Sequence, residues 1–291
     1  MSEIKLIALD LDGTLLDSEK RLPPRNRRAL ERAAAAGIEI VPATGRFFRG
    51  IPEEVRSLPF LHYSLTINGA EVWDIRADRS VYSSDIPLDL ALEVFEYLDS
   101  LPVIYDCYQD GWGWITESMR DRAEDYIDYA PSLDMLRRLR SPVPELKRWL
   151  RERGKGVQKL QLFTRDRAFR DGLLQSLPPR FPELSFTDSL PNNLEINSAA
   201  ANKGDALLAL GCYLGLGAEQ LMAFGDGLND RTMLLAAGIG VAMGNAHPEL
   251  LRLADRVTDD CDHDGVAAAI EKELPELFTG GIISGQQFRR F

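Results

Sequence analysis

Four short polar segments of this sequence carry side chains that could hold a cation and an anion together. Two of them contain paired aspartates, Asp10-Leu-Asp12 near the start of the chain and Asp226-Gly-Leu-Asn-Asp230 in its last third. Carboxylates that meet at short range repel one another strongly, and a divalent cation removes that repulsion. All the available ligands are oxygens, and no His or Cys lies near them, so Mg²⁺ is the expected ion and Zn²⁺ is disfavoured.

The remaining polar residues supply groups that suit a phosphate. Thr44 and Gly45 begin a turn, where a hydroxyl and free backbone amides can bind anionic oxygens. Lys203 starts a helical segment and can reach in as a point charge. Together with Mg²⁺, this lysine would offset the repulsion that a carboxylate meets as it approaches a phosphoryl group. Because carboxylates are known nucleophiles in phosphoryl transfer, the residues predict chemistry through an aspartyl-phosphate.

The spacing of Asp10 and Asp12 suggests that these two residues divide the work. Side chains two positions apart in an extended segment point to the same face, so both carboxylates can reach one substrate. One carboxylate can attack while the other handles the proton. Gly13 then allows the chain to turn away from the site.

Three sets of polar residues in these segments each allow two interpretations. Arg46 either contacts the substrate or pairs with a carboxylate of the core. The pair Asn68-Gly69 either forms a tight turn or belongs to a substrate-binding loop, since this dipeptide is common in turns. Asn229 and Asp230 could also act as caps of the helix that follows them.

Four polar segments, which contain Asp10, Thr44, Asn68 and Asp226, each lie directly at the end of a predicted strand of a parallel sheet. The strands are apolar runs at Ile4–Leu9, Ile38–Ala43, Tyr63–Ile67 and Leu221–Gly225, with helical stretches between them. Such an alternation predicts a doubly wound α/β core with helices on both faces of the sheet. Ligands of open parallel sheets bind at the carboxyl ends of the strands, so four separate segments should converge on one edge.

A second unit is predicted between the two halves of the core. Val103–Tyr108 and Trp112–Thr116 flank Gln109-Asp110-Gly111, which is typical of a β-hairpin, and helical stretches follow. We therefore expect residues 84–193 to form an inserted α+β cap domain, and residues 1–83 and 194–291 to form the core. The tail from residue 279 to residue 291 shows no periodicity.

Composition limits the partners of the protein. The chain has 291 residues and a formal net charge of −11, which disfavours a nucleic-acid partner. Its three cysteines, Cys107, Cys212 and Cys261, are widely spaced, as expected in a reducing compartment. No signal peptide and no apolar run of membrane-spanning length is visible, so a cytoplasmic protein without a membrane partner is expected. Nothing in the sequence indicates an obligate protein partner.

At the polar segments, the sequence closely resembles the haloacid dehalogenase superfamily of phosphotransferases. The four superfamily motifs are matched, in order, by Asp10-Leu-Asp-Gly-Thr, Thr44-Gly45-Arg46, Lys203-Gly204 and Gly225-Asp226-Gly-Leu-Asn-Asp230. Asn68-Gly69-Ala70, Val241-Ala-Met-Gly-Asn-Ala246 and Asp264-Gly265-Val266 are similar to the Cof-type branch, which has a large cap between the second and third motifs.

The resemblance implies a role for each residue of the motifs. Asp10 attacks phosphorus and binds Mg²⁺, while Asp12 transfers the proton and ligates the metal through its backbone carbonyl. Asp226 is a further metal ligand, and Asp230 supports the metal directly or through water. The resemblance also implies that catalytic Lys203 contacts the phosphate, and the positions expected to hold phosphate or substrate are Thr44, Gly45, Arg46, Asn68, Gly69, Lys203 and Asn229.

The expected activity is Mg²⁺-dependent hydrolysis of a small phosphorylated metabolite, such as a sugar phosphate. A phosphomutase of the same superfamily is the alternative that the sequence leaves open. A dehalogenase does not need a second carboxylate at position 12, so Asp12 argues against that activity. A non-enzymatic sensor would be expected to lack Asp10 or Asp12, and this chain has both.

Overall fold

The computed structural model of the chain describes residues 3–279. The strands in chain order are β1 (Leu6–Leu9), β2 (Glu39–Pro42), β3 (Tyr63–Thr66), β4 (Glu71–Asp74), β5 (Arg79–Ser83), β6 (Ile104–Gln109), β7 (Trp112–Thr116), β8 (Arg140–Val143), β9 (Lys159–Phe163), β10 (Leu184–Thr187), β11 (Asn193–Ser198), β12 (Leu221–Gly225), β13 (Ile239–Ala242) and β14 (Arg256–Val257). The α-helices are α1 (Pro24–Ala35), α2 (Glu53–Arg56), α3 (Leu88–Leu98), α4 (Glu117–Asp121), α5 (Ala123–Tyr126), α6 (Ala130–Leu139), α7 (Leu146–Arg153), α8 (Arg167–Arg180), α9 (Lys203–Tyr213), α10 (Arg231–Ala236), α11 (Pro248–Leu253), α12 (Gly265–Glu273) and α13 (Glu276–Thr279).

The core is a parallel sheet with strand order β14-β13-β12-β1-β2. Its strand β1, which lies between β12 and β2, is buried on both faces, and its side chains alternate between two hydrophobic clusters. Ile7 and Leu9 pack in the cluster that includes residues of α1 and α12, whereas Leu6 and Ala8 pack with residues of α9 and α10. Helices therefore cover both faces, which confirms the predicted doubly wound α/β core.

The third predicted strand differs from this pattern. The backbone of Tyr63–Thr66 forms no ladder with β2 and pairs next to it through the isolated parallel bridge between Ala43 and Leu65. Its ladder is antiparallel instead, within the three-stranded sheet β3-β4-β5. The chain reverses after β3 through Ile67 and Asn68, whose φ angles are 54° and 56°, and Gly69, whose φ is 88°. The sequence analysis did not predict the strands β4 and β5.

A second, mixed sheet forms the cap, with strand order β10-β11-β9-β6-β7-β8. The hairpin of β6 and β7 turns at Asp110 and Gly111, both with positive φ, as the Asp-Gly signal predicted. One face of this sheet packs against α3, α7 and α8 in a separate hydrophobic cluster that includes Phe95, Leu150 and Leu177. An α+β cap thus accompanies the α/β core.

The exact limits of the cap, 84 and 193, stay a prediction. The backbone bridge between Ile86 and Val157 lies at the entrance of the insertion, and β11 continues in the cap sheet as far as Ser198. The expectation for the tail concerns residues that lie almost entirely outside the described range. Within residues 3–279, none of the helices combines the length and the apolar character that crossing a membrane requires.

Candidate active site

The polar segments meet at the carboxyl edge of the core sheet. Asp10 follows β1, Thr44 stands two residues after β2, Asn68 two residues after β3, and Asp226 follows β12. They line one cavity of about 1040 Å³ between the core and the cap. Of the residues predicted from sequence, those that line it are Asp10, Asp12, Thr44, Gly45, Arg46, Asn68, Asp226 and Asn229.

Beneath the cavity, Lys203 joins two carboxylates that are distant in sequence. Its Nζ donates to Asp10 Oδ1 at 2.6 Å and to Asp230 Oδ1 at 2.5 Å, and the lysine is fully buried. It is the first residue of α9, whose N-cap Asn202 accepts a hydrogen bond from the Asp205 amide. Capping fixes where the helix starts and therefore where the ammonium lies.

Burial and neighbouring charge set the protonation of this group. Burial raises the pKa of Asp10 to about 7; Lys203 opposes that shift, and the charges of Asp230 and Asp226 add to it. For Lys203, burial favours the neutral amine, but Asp10 and Asp230 outweigh it and raise the lysine pKa. The lysine therefore remains an ammonium at neutral pH.

Asp226 and Asp230 complete an acidic group around Asp10. One carboxylate oxygen from each of the three aspartates lies within 4.8 Å of the others. Asp226 Oδ1 accepts from the Thr14 hydroxyl at 2.8 Å, which holds that carboxylate in place. Burial raises the pKa of Asp226 and the charge of Asp230 adds to that shift, while the Thr14 hydrogen bond and the charge of Lys203 oppose it.

Asp230 is held by the backbone as well as by the lysine. Its Oδ2 accepts from the amides of Asp226 and Gly227, each at 3.0 Å, while its Oδ1 binds Lys203. Both oxygens are therefore already engaged. When all three carboxyl groups are ionised, one ammonium leaves two negative charges unmatched, and an all-oxygen donor set of this charge fits a hard dication such as Mg²⁺.

Asp12 is held apart from that group by two cations. Arg46 donates to both Asp12 oxygens at 3.0 to 3.2 Å, and Lys20 Nζ lies 3.1 Å from Oδ1. Burial favours the protonated acid, yet the charge of Arg46 and the hydrogen bonds of both cations lower the pKa of Asp12. Of the two interpretations of Arg46, the structure therefore displays the pairing with a carboxylate, and its substrate contact stays a prediction.

The loops after β2 and β3 support each other. Thr44 accepts the Asn68 amide through its carbonyl at 3.0 Å and the Arg46 amide through Oγ1 at 3.2 Å. Asn229 Nδ2 donates to Asn68 Oδ1 at 3.2 Å, so the fourth segment is joined to the third. Asn68 thus combines the turn with a place in the cavity wall.

Gly69 lies behind the cavity rather than in its wall. A Cβ at this position would stand 2.1 Å from the Asn202 carbonyl oxygen, so only glycine lets the loop pack against the start of α9. Its contribution is to position the loop relative to the helix that carries Lys203.

The cap contributes residues to the cavity that the sequence analysis did not predict. Lys159, Gln161 and Glu195 line the same cavity from the cap side. The signal that could have found them is the polar–apolar alternation in Lys159-Leu-Gln-Leu-Phe163 and Asn193-Leu-Glu-Ile-Asn197, which places their polar side chains on one face of the sheet.

Comparison with known proteins identifies what this chain is similar to. The family model described as haloacid dehalogenase-like hydrolase matches residues 7–270. The 5-amino-6-(5-phospho-D-ribitylamino)uracil phosphatase of Bacillus subtilis is 32% identical over 271 residues, which cover 92% of this chain and 95% of the relative. An HMP-PP phosphatase of Serratia proteamaculans is 32% identical over 276 residues, covering 93% and 95%. A crystal structure of a haloacid dehalogenase-like hydrolase from Bacteroides thetaiotaomicron has a TM-score of 0.78 at 29% identity, covering 93% of this chain and 100% of that chain.

Proposed function

Because this chain belongs to the haloacid dehalogenase-like hydrolases and is a phosphatase of that family, we propose that it hydrolyses a small phosphorylated metabolite with Mg²⁺ through an aspartyl-phosphate on Asp10. Relatives whose names specify phosphatase activity on small phosphorylated compounds support this substrate class. The observation that carries the proposal is the meeting of Asp10 and Asp226 at the wall of one cavity, with Lys203 buried beneath it and bonded to Asp10 from 193 residues away in the sequence.

Asp10 is the nucleophile in this proposal. Its Oδ1 is engaged by Lys203, and the residue lines the cavity, so Oδ2 is the oxygen that remains for phosphorus. When Oδ2 forms the new bond to phosphorus, the bond from phosphorus to the ester oxygen breaks. Asp12, which must be protonated before this step, donates its proton to the departing oxygen, and that oxygen leaves as an alcohol.

In the second step, water hydrolyses the aspartyl-phosphate. Asp12 takes a proton from the water, whose oxygen attacks phosphorus, and the bond between phosphorus and Asp10 breaks to release inorganic phosphate. Since Asp12 is ion-paired in this conformation, it must give up at least one contact with Arg46 or Lys20 to handle protons. In this proposal the phosphate oxygens are held by Thr44, Gly45, Asn68 and Asn229, all of which line the cavity.

Mg²⁺ would be held by Asp10, Asp226 and the Asp12 carbonyl, with Asp230 as direct or water-mediated support, and would supply positive charge against the phosphoryl oxygens. The lysine supplies the rest of that charge. Its raised pKa keeps it protonated beside Asp10 and Asp230.

The test is a panel of phosphorylated metabolites and p-nitrophenyl phosphate, assayed for free phosphate with Mg²⁺ and with a chelator. We expect phosphate release only with the metal, and a loss of more than about 10³-fold in Asp10→Asn, because the attacking oxygen is replaced by an amide. Asp89→Asn is the matched control, since Asp89 is an exposed aspartate at the start of α3.

Substantial phosphate release by Asp10→Asn, or undiminished release by the wild type in the chelator, would contradict the proposal. The same panel distinguishes the phosphomutase alternative. A mutase would convert a sugar phosphate into its isomer with little free phosphate, and a hydrolase would liberate phosphate in step with substrate loss.

A further inference from the structure

The side of the cap sheet that faces the core is unusually polar for a buried surface. We call it the cap's polar face and define it by Asp106 and Tyr108 of β6, Lys159 and Gln161 of β9, and Glu195 of β11. Each of the five is at most 9% exposed. Buried polar groups lower stability unless they find partners, so a face of this kind needs a reason to exist.

Lys159 and Glu195 form an ion pair at the wall of the cavity. Lys159 Nζ lies 2.5 Å from Glu195 Oε2, and the other carboxylate oxygen accepts from the Ser189 hydroxyl at 2.6 Å. Burial favours the protonated acid, but the charge of Lys159 outweighs it and lowers the pKa of Glu195, which is therefore ionised. The ammonium also lies 3.4 Å from the Gly45 carbonyl oxygen. The pair thus stands beside the loop that we propose to hold the phosphate.

Gln161 is oriented by its neighbours. Its Oε1 accepts from the Tyr108 hydroxyl and from Arg140 Nη2, each at 3.0 Å. Arg140 is itself fixed by Asp106 at 2.7 Å, and both members of that pair are fully buried. Because the amide oxygen is used inside the protein, the amide nitrogen of Gln161 is the end left for a ligand in the cavity.

We propose that Lys159, Gln161 and Glu195 determine specificity by binding hydroxyl groups on the part of the substrate that leaves with the ester oxygen. This inference rests on the phosphatase function proposed above. A hydroxyl can accept from Lys159 or Gln161 and donate to Glu195, so it satisfies both kinds of group at once. A purely apolar leaving group would leave the Gln161 amide nitrogen and the remaining donor capacity of Lys159 without acceptors, and a carboxylate would face the charge of Glu195.

The pair's position also limits the size of that leaving group. Lys159 contacts Gly45, the residue after Thr44, so the hydroxyls that it binds lie close to the phosphate in the same molecule. A short polyol phosphate or a monosaccharide phosphate places hydroxyls within this reach.

The experiment compares kcat/KM for a hexose 6-phosphate and for glycerol 1-phosphate with kcat/KM for p-nitrophenyl phosphate. The p-nitrophenyl group carries no hydroxyl besides the oxygen that is esterified to phosphorus. Lys159→Met removes the donor, and Gln161→Met removes the amide while leaving the buried ion pair intact. We expect each variant to lower the ratio of hydroxylated to aryl kcat/KM by about 10- to 100-fold. Lys155→Met is the matched control, an exposed cap lysine outside the cavity wall, and should keep both values.

Circular dichroism and thermal unfolding establish whether each variant is folded. If Lys159→Met does not fold, Gln161→Met alone tests the proposal. An unchanged ratio in folded variants would overturn the proposal while leaving the phosphatase function intact. A wild type that hydrolyses none of the three esters with Mg²⁺ would overturn the proposed function, and this inference with it.

Discussion

The core and cap walls of the cavity carry charge in different ways. On the core side, the three carboxyl groups of Asp10, Asp226 and Asp230 gather beside a single ammonium, that of Lys203, so acidic groups outnumber the cation. On the cap side, charges are matched one to one, Arg140 with Asp106 and Lys159 with Glu195. The core wall is therefore suited to a dication and an anion, and the cap wall to neutral groups that hydrogen-bond.

The difference extends to where the residues stand on their strands. The core residues follow the ends of strands, on loops that can approach a ligand with backbone amides. The cap residues lie within strands, fixed by ladders such as that pairing Asp106 with Gln161 and Gln161 with Glu195. Chemistry common to all substrates would thus belong to the loops, and discrimination between substrates to the rigid sheet.

The largest effect that this comparison predicts is the loss of Lys203. Lys203→Met leaves two buried carboxylates without their cation, so kcat/KM should fall by about 10² to 10³-fold on hydroxylated and aryl phosphates alike. Steady-state kinetics on both kinds of ester measure it, with exposed Lys272→Met as control. A loss confined to hydroxylated substrates would break the division between the two walls.

Removal of a buried cation from the cap should lower the stability of the fold. Arg140→Met leaves Asp106 buried and unpaired, which should reduce the free energy of unfolding by about 3 to 5 kcal/mol. In the double variant Arg140→Met/Asp106→Leu, most of that loss should return, because no charge is left buried. Urea unfolding measures both, and a double variant no more stable than the single one would contradict the expectation.

A smaller effect is expected from the hydroxyl that orients Asp226. Thr14→Val is nearly isosteric at a fully buried position, and it removes the hydrogen bond to Asp226 Oδ1. The Mg²⁺ concentration for half-maximal activity should rise by about 10- to 100-fold. Thr66→Val is the matched control, a buried threonine that donates to Glu71 instead. An unchanged Mg²⁺ requirement in Thr14→Val would remove this residue from the metal site.

The smallest effect concerns Glu71, a buried carboxyl that belongs to neither wall. Burial raises its pKa from an ordinary 4.5 to about 8, so between these values the folded state holds a proton that the unfolded state has lost. Stability should therefore decrease as pH rises through this window, by at most about 1.4 kcal/mol per pH unit. In Glu71→Gln this contribution should vanish, as urea unfolding at pH 6 and pH 7 would reveal. An identical pH slope in the wild type and in Glu71→Gln would contradict the raised pKa.

Much of the core could be predicted because the segments that begin at Asp10, Thr44 and Asp226 each follow a short apolar run, which favours a buried strand. The doubly wound core was predicted from these runs, the cap from the hairpin and the helices of the insertion, and the family from the resemblance of the motifs; all three are confirmed. The partner of Arg46 could not be predicted, because a long flexible side chain reaches several carboxylates from the same backbone position.

The cap wall was missed for a different reason. Alternation in the strand that contains Lys159 and Gln161 indicates one polar face, and such a face is usually covered by water. Only the arrangement of the two sheets shows that this face is covered by the core. The short strand Glu71–Asp74 was missed because its pairing depends on the reversal at Asn68, which has no apolar signal of its own.

The polar character of the face that the cap turns to the core also sets the cost of opening the cavity. When the cap lifts, water can replace the contact of Lys159 with the Gly45 carbonyl, while the pair of Lys159 and Glu195 stays within the cap sheet. The contact of Phe47 with Tyr108, with ring centroids 5.0 Å apart, is a compact apolar junction between the two units. We therefore expect the cap to separate from the core without loss of its own fold, so that product escape is not opposed by a large hydrophobic penalty.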